Sequence, residues 1–275
     1  MIQALPLAAA GLFGLAVGSF LNVVVHRVPE GRSVVAPRSS CGSCGHEIRW
    51  YDNIPVVSWL ALRARCRDCG ARISARYPAL ELAGAAAFTL VGAVLGPQLW
   101  SAASPAAVIA SIAQIAVFIY LAAISLALAV IDVQTMRLPN AIVLPAYPVT
   151  AILLTAAAAA GGAWDQLLGA AAGLAIMGGL YLVIAFAKPG AMGMGDVKLA
   201  GVLGICLGWL GWTQLAVGIL GGFLVGGMVG LALLATRGRR ARIPFGPWLL
   251  AGAWLGILAG REIAAGYLSL YGLSA

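Results

Sequence analysis

Long apolar blocks separated by short polar turns run through most of this chain. They cover residues 2–25, 79–97, 107–131, 140–160, 165–187, 197–211, 213–235 and 245–260. Each is near the ~20 residues needed to cross a bilayer, except the short block after residue 196. Leu, Val and Ala dominate the blocks, and the two-residue alternation of a membrane barrel is absent, so the spans are expected to be helices. The first block has no basic segment before it and no clear small-residue cleavage site, so it reads as a retained span rather than a signal peptide. One polar stretch, Arg27 to Tyr77, interrupts the pattern. It reads as a compact domain outside the membrane. The expected architecture is an all-α polytopic membrane protein of about eight transmembrane helices, divided into a first helix (1–26), a small extramembrane domain (27–78) and a seven-helix membrane region (79–275).

Composition supports lipid as the solvent. Hydrophobic residues make up 62% of the 275 and charged residues 9%, unlike a water-soluble domain. The formal net charge is +8, but its placement says more than its size. Alternating the loops across the membrane puts sixteen of the seventeen Lys and Arg residues on one side, leaving only Arg261 on the other. The positive-inside rule makes that side cytoplasmic, with both termini outside. Arg237, Arg239, Arg240 and Arg242 then form an ordinary topology-setting loop rather than a nucleic-acid contact.

Against this background three acids stand out, Asp132, Asp165 and Asp196, because no basic residue lies beside them in sequence. Asp165 follows Gly161, Gly162 and Trp164 and reads as a solvated loop residue. Asp132 ends a long apolar run, and Asp196 lies in the stretch Gly193-Met-Gly-Asp-Val-Lys198. A carboxylate inside a membrane helix costs ~2.5–3.5 kcal/mol and calls for a function. Two spans separate Asp132 from Asp196, so both come to the same, cytoplasmic rim. Two carboxylates that meet in a low-dielectric site share a proton, and such a pair can activate water against a carbonyl. Gly193 and Gly195 let the backbone approach a substrate strand, Lys198 flanks them, and Pro139 and Pro189 mark turns at these helix ends. The alternative is that each aspartate only stabilises a helix end, Asp196 at an N-terminus and Asp132 by pairing with Arg137.

The polar stretch carries its own chemistry. Cys41 and Cys44, then Cys66 and Cys69, form two Cys-x-x-Cys turns with twenty-one residues between them. Two such turns, helped by Gly42, Gly45 and Gly70, can point four thiolates at one tetrahedral zinc. Redox dithiols or disulfides are the competing reading, disfavoured by cytoplasmic placement and by the lack of a thioredoxin-like pattern. A segment of this size has little core, which gives a metal staple a purpose. His46 reads as a surface neighbour of the cysteines, His26 as an interfacial residue and Cys206 as a small buried apolar one. Glu81 reads as the partner of a nearby arginine.

With these residues assembled, the chain resembles the bacterial type IV prepilin peptidases, the bifunctional leader peptidases and N-methyltransferases of pilus and type II secretion systems. The resemblance covers nearly the whole length. It includes GSFLNVVVHRVP from Gly18, the paired cysteines, the stretch from Tyr51 to Glu81, IDVQTMRLPN around Asp132 and the GxGD motif at Asp196. It implies an intramembrane aspartic peptidase with Asp132 and Asp196 as the catalytic pair. Prepilins and pseudopilins would be cut on the cytoplasmic face of the inner membrane after a glycine, and the new terminus, usually Phe, methylated from S-adenosylmethionine. Glu30, Glu47, Asp52 and Asp68 are the expected contacts for a basic leader. The methyltransferase rests on the resemblance alone, since no glycine-rich nucleotide fingerprint follows a strand, and no residue is assigned to the methyl donor. A proton-coupled transporter capped by a regulatory zinc domain is the alternative, and it predicts carboxylates at the midplane and inverted repeats.

Overall fold

The computed structural model describes residues 4–187, 192–237 and 244–272. Lys188, Pro189, Arg239, Arg240 and Arg242 lie outside the described residues. The described chain is helical, with only two isolated bridges, Ser40 with Glu47 and Arg65 with Arg72. Helix α1 is Ala4–Arg27, α2 Val57–Ala61, α3 Arg76–Trp100, α4 Pro105–Thr135 and α5 Asn140–Gly161. Helix α6 (Trp164–Gly173) continues through a π turn at Leu174–Gly178 into α7 (Gly179–Ala187). Then follow α8 (Met194–Leu210), α9 (Trp212–Arg237) and α10 (Gly246–Ser269).

Seven of the described spans are long and apolar enough to cross a membrane, α6 and α7 counting as one. The eighth expected span is α8, which has 17 residues, about 25 Å of helix. It is short because Gly193 starts it and Gly211, at φ +135°, ends it. Every residue from Leu199 to Trp209 is buried, so α8 need not meet lipid. Local chemistry explains other boundaries. The Ser104 hydroxyl accepts the Ala107 N–H at 3.2 Å and Pro105 opens α4, an N-cap followed by a proline that needs no partner. Met136 ends α4 in the left-handed region, its N–H donating to the Asp132 carbonyl at 2.8 Å.

The chain divides into two compact units, one of residues 1–101 with 118–127, the other of 102–117 with 128–275. In the first, α1 and α3 run antiparallel, and Gly14 and Gly18 face the α3 backbone at Gly84 and Glu81. In the second, α8 is central, packed by α5, α6, the π turn, α7, α9 and α10. There Gly169 and Gly173 meet Gly204 and Gly208, and Gly218 and Gly222 meet Gly252 and Gly256. Five Gly-x-x-x-Gly pairs therefore make three close crossings. Lipid offers no hydrophobic drive for helix association, so contact between backbones supplies the packing energy instead.

Candidate active site

Asp132 lies one turn before the end of α4 and Asp196 in the first turn of α8. Gly246 stands against both Asp132 and Leu138, and Gly195, next to Asp196, stands against the same Leu138, so the two aspartates lie on helix ends that share a neighbour. The parity of crossings led to the expectation that both lie at one end of the bundle, and the shared neighbour brings their helix ends together. Asp132 is 4% exposed; Asp196 is half-buried.

Each lies against the start of a helix. The Gly246 N–H, at the first position of α10, donates to Asp132 Oδ2 at 2.9 Å. Asp196 lies in the first turn of α8, with its Oδ2 beside Gly193, the residue capping that helix. Helix N-termini favour anions, so both aspartates sit where negative charge is supported. The helix-end reading of Asp196 is thus correct as geometry, and it coexists with the pair. The alternative pairing of Asp132 with Arg137 is not present among the described residues; the amide of Gly246 takes that place because α10 begins directly over the carboxylate.

Glycines clear the space around the pair. A Cβ at Gly246 would stand 2.7 Å from Asp132 Oδ2, one at Gly193 3.1 Å from Asp196 Oδ2, and one at Gly195 3.0 Å from Leu138 Cβ. Leu138, just before Pro139 and α5, also lies against Gly246, so the starts of α8 and α10 converge on it. Lys198 turns outward, its Nζ donating to Asn140 Oδ1 at 3.0 Å, while its carbonyl accepts the Tyr147 hydroxyl at 2.7 Å. It joins α8 to α5. Nothing local in the sequence singles out Gly246 or Tyr181. Tyr181 is fully buried and stacks on Phe223 at 5.2 Å between centroids. The only sequence signal for Gly246 is Phe-Gly-Pro at the start of an apolar block.

The four cysteines come together in the first unit as two matching turns. Cys41 N–H donates to the His46 carbonyl at 2.9 Å and Cys66 N–H to the Ala71 carbonyl at 2.8 Å; Gly45 and Gly70 complete the turns at φ +73° and +70°. Only glycine adopts that conformation without strain. All four Sγ atoms lie within 4.8 Å of one another, with Cys41 and Cys69 at 3.8 Å. Four sulfurs at ~2.3 Å from a tetrahedral zinc would be ~3.8 Å apart, so the donor set fits that ion. The amides of Cys44 and Ser43 lower the Cys41 thiol to about 6. At Cys69 the Ala71 amide opposes desolvation and the sulfurs of Cys44, Cys66 and Cys41, and the thiol ends at about 12. Neighbouring thiolates repel, which a cation relieves. His46 is exposed and outside the cluster; Cys206 is fully buried.

Three of the acids expected to meet a basic leader are already paired within the chain. Glu30 meets Arg32 at 2.7 Å, Asp68 meets Arg49 at 3.0 Å, and Asp52 meets Arg67 at 2.6 Å. Arginine outnumbers acid in this segment, so self-pairing wins. Glu81 also departs from expectation: it is 7% exposed and accepts the Val56 N–H at 2.7 Å, with no arginine on it among the described residues.

Comparison with known proteins agrees with this geometry. Residues 12–95 match the Bacterial Peptidase A24 N-terminal domain and residues 119–231 the Type IV leader peptidase family. A protein of Aeromonas hydrophila named prepilin leader peptidase/N-methyltransferase is 35% identical over 94% of this chain and 92% of its own. Proteins of the same name from Pseudomonas putida and Pseudomonas aeruginosa are each 35% identical, over 96% and 95% of this chain and 94% and 93% of theirs. No solved structure matches the chain. The chain belongs to the type IV leader peptidase family. It is a multi-pass inner-membrane protein, and the transporter alternative finds no support.

Proposed function

We propose that this protein removes the leader peptides of type IV prepilins and type II secretion pseudopilins at the cytoplasmic face of the inner membrane, then N-methylates the new amino terminus. The observation that carries the peptidase is the Asp132 and Asp196 pair, Asp132 held by the Gly246 amide at the start of α10 and Asp196 in the first turn of α8, with glycine clearing the space beside each. One carboxylate takes a proton from water as the oxygen attacks the scissile carbonyl, while the other, protonated, hydrogen-bonds the carbonyl oxygen. Collapse of the tetrahedral species passes a proton to the leaving amine. Gly193 and Gly195 leave room for an extended substrate backbone, and Lys198 braces α8 against α5.

In this reading residues 1–26 anchor the chain, 27–78 form the cytoplasmic four-cysteine domain, and 79–275 carry the peptidase. Cys41, Cys44, Cys66 and Cys69 hold a structural zinc. When bound, S-adenosylmethionine would supply an electrophilic methyl group: the freed amine would form the N–C bond and lose one proton as the S–C bond breaks and S-adenosylhomocysteine leaves. The excess of basic residues on one side supports the orientation.

The test is cleavage of a purified prepilin in detergent by the wild type, Asp132→Asn and Asp196→Asn, with mass spectrometry of the product terminus. Each variant should lose cleavage by roughly 10²–10⁴-fold or more. Retained cleavage in either would remove that residue from the mechanism. A wild-type product heavier by one methyl group only when S-adenosylmethionine is present establishes the second activity.

A further inference from the structure

The short helix α2 in the polar segment is built inside out. Its exposed positions are Val57, Leu60 and Ala61, the i, i+3, i+4 spacing of a single face. Val57 is 59% exposed and Leu60 61%. The one buried residue of the helix is Ser58, whose hydroxyl donates to the Tyr51 carbonyl at 2.8 Å and accepts the Ile54 N–H at 3.0 Å. Ile54, one turn earlier, is also exposed, and Trp50 is 81% exposed. A helix with serine inside and its apolar side chains outside suits a solvent other than water. The neighbouring charges do not cover this face, since Arg49 pairs with Asp68 and Arg67 with Asp52.

The depth of α2 accounts for the inversion. The Val56 N–H, directly before the helix, donates to Glu81 Oε2 at 2.7 Å, and Glu81 is the sixth residue of the membrane span α3, ~8 Å from its start. The 25 residues of α3 make a helix of ~38 Å, so about 4 Å at each end of a centred span lies beyond a hydrocarbon core of ~30 Å. Glu81 therefore stands at the edge of the hydrocarbon, and α2 begins beside it. The chain is brought to that depth by turns that no glycine eases: Val56 is at φ +62° before α2, and Arg63 and Ala64 are at φ +51° and +57° after it, a region costly for residues with side chains. The Trp59 N–H, bonded to the Ile73 carbonyl at 3.2 Å, fastens the same helix to the approach to α3.

We infer that the face of Trp50, Ile54, Val57 and Leu60 lies in the interfacial layer of the bilayer, against the glycerol and upper acyl region of the lipid. Aliphatic side chains with a tryptophan match that layer. Arg63 and Arg65, both exposed and in no ion pair among the described residues, supply positive charge beside it for anionic lipid phosphates. The polar segment is thus seated on the membrane surface through α2, rather than held clear of it by α1 and α3 alone.

The experiment uses the full-length protein in nanodiscs of phosphatidylcholine and phosphatidylglycerol, with the photoreactive residue p-benzoylphenylalanine replacing Leu60 or, as a control, Ser43, an exposed residue of the first cysteine turn. Illumination should attach phospholipid to position 60 in several-fold higher yield than to position 43, read by mass spectrometry of the peptides. Equal lipid yields at the two positions overturn the inference. So does attachment of position 60 to a peptide from residues 102–275 or to a second copy, which would make the face a protein contact. A second measurement follows Trp50 itself, as the difference in fluorescence between wild type and Trp50→Phe, a change at an exposed position. That component should lose most of its intensity in vesicles of phosphatidylcholine brominated high on the acyl chain, and little with aqueous iodide; the reverse pattern overturns the inference.

Discussion

The Gly246 amide donates to Asp132 Oδ2 at 2.9 Å across 114 residues of sequence. This bond ties the start of the last helix to a carboxylate at the end of α4, and it fixes which oxygen of Asp132 remains for other partners. A methyl group at position 246 would stand 2.7 Å from that oxygen. Gly246→Ala should therefore displace the carboxylate, lowering kcat for leader cleavage by roughly 10- to 100-fold with little change in KM, because positioning rather than substrate binding is lost. Steady-state cleavage of a prepilin checks it; unchanged kcat would show that α10 does not set the geometry of Asp132.

The antiparallel crossing of α6 on α8 leaves no room for a side chain at Gly173 or Gly204. Gly204→Leu should separate the two helices, and since α8 carries Asp196 at its start, cleavage should fall with stability. Overpacking of this kind costs about 1–3 kcal/mol or more. Thermal unfolding in detergent should show a lower Tm in Gly204→Leu, while Gly227→Leu, at a position with open space around it, should be near wild type.

The sulfur cluster makes a metal prediction. Purified protein should carry about one zinc per chain, and Cys41→Ser or Cys66→Ser should lose most of it, since three ligands bind far less firmly than a closed set of four. Elemental analysis of the purified variants decides the matter. Zinc content equal to wild type in both would leave the cysteines without that role.

Asp52 accepts a forked contact from Arg67, at 2.9 Å and 2.6 Å, and that hydrogen bonding holds its carboxyl below the usual range. A group whose folded value is depressed contributes stability that is complete above its unfolded value, about 3.9, and lost as pH falls through the folded one. The segment carrying the cysteines should thus become less stable as pH drops below ~4. Asp52→Asn should flatten that part of the profile. Limited proteolysis of the segment between residues 27 and 78 across pH 3–6 measures it, and an identical profile in the variant would remove Asp52 from the acid response.

Much of this was legible in the chain before any tertiary structure. The apolar blocks predicted the helices to within about four residues, except that α10 continues to Ser269, nine residues past its block, because a lipid-facing backbone has no choice but to satisfy itself locally. The cysteine spacing predicted one cluster, since each Cys-x-x-Cys turn is a local geometry and Gly45 and Gly70 allow its closing residue. Parity of crossings alone put Asp132 and Asp196 at one end of the bundle.

What tertiary structure decided is which groups meet across long separations. Asp132 is held by Gly246 and not by Arg137, because helix ends meet wherever packing brings them and not where sequence neighbours lie. Glu81 received the amide of Val56 rather than an arginine, because the α1–α3 crossing buried it beyond reach of the basic surface. Local sequence dictates a helix through bonds four residues apart. A partner in space depends on which small residues let which helices touch, and that is settled only when the whole bundle is packed.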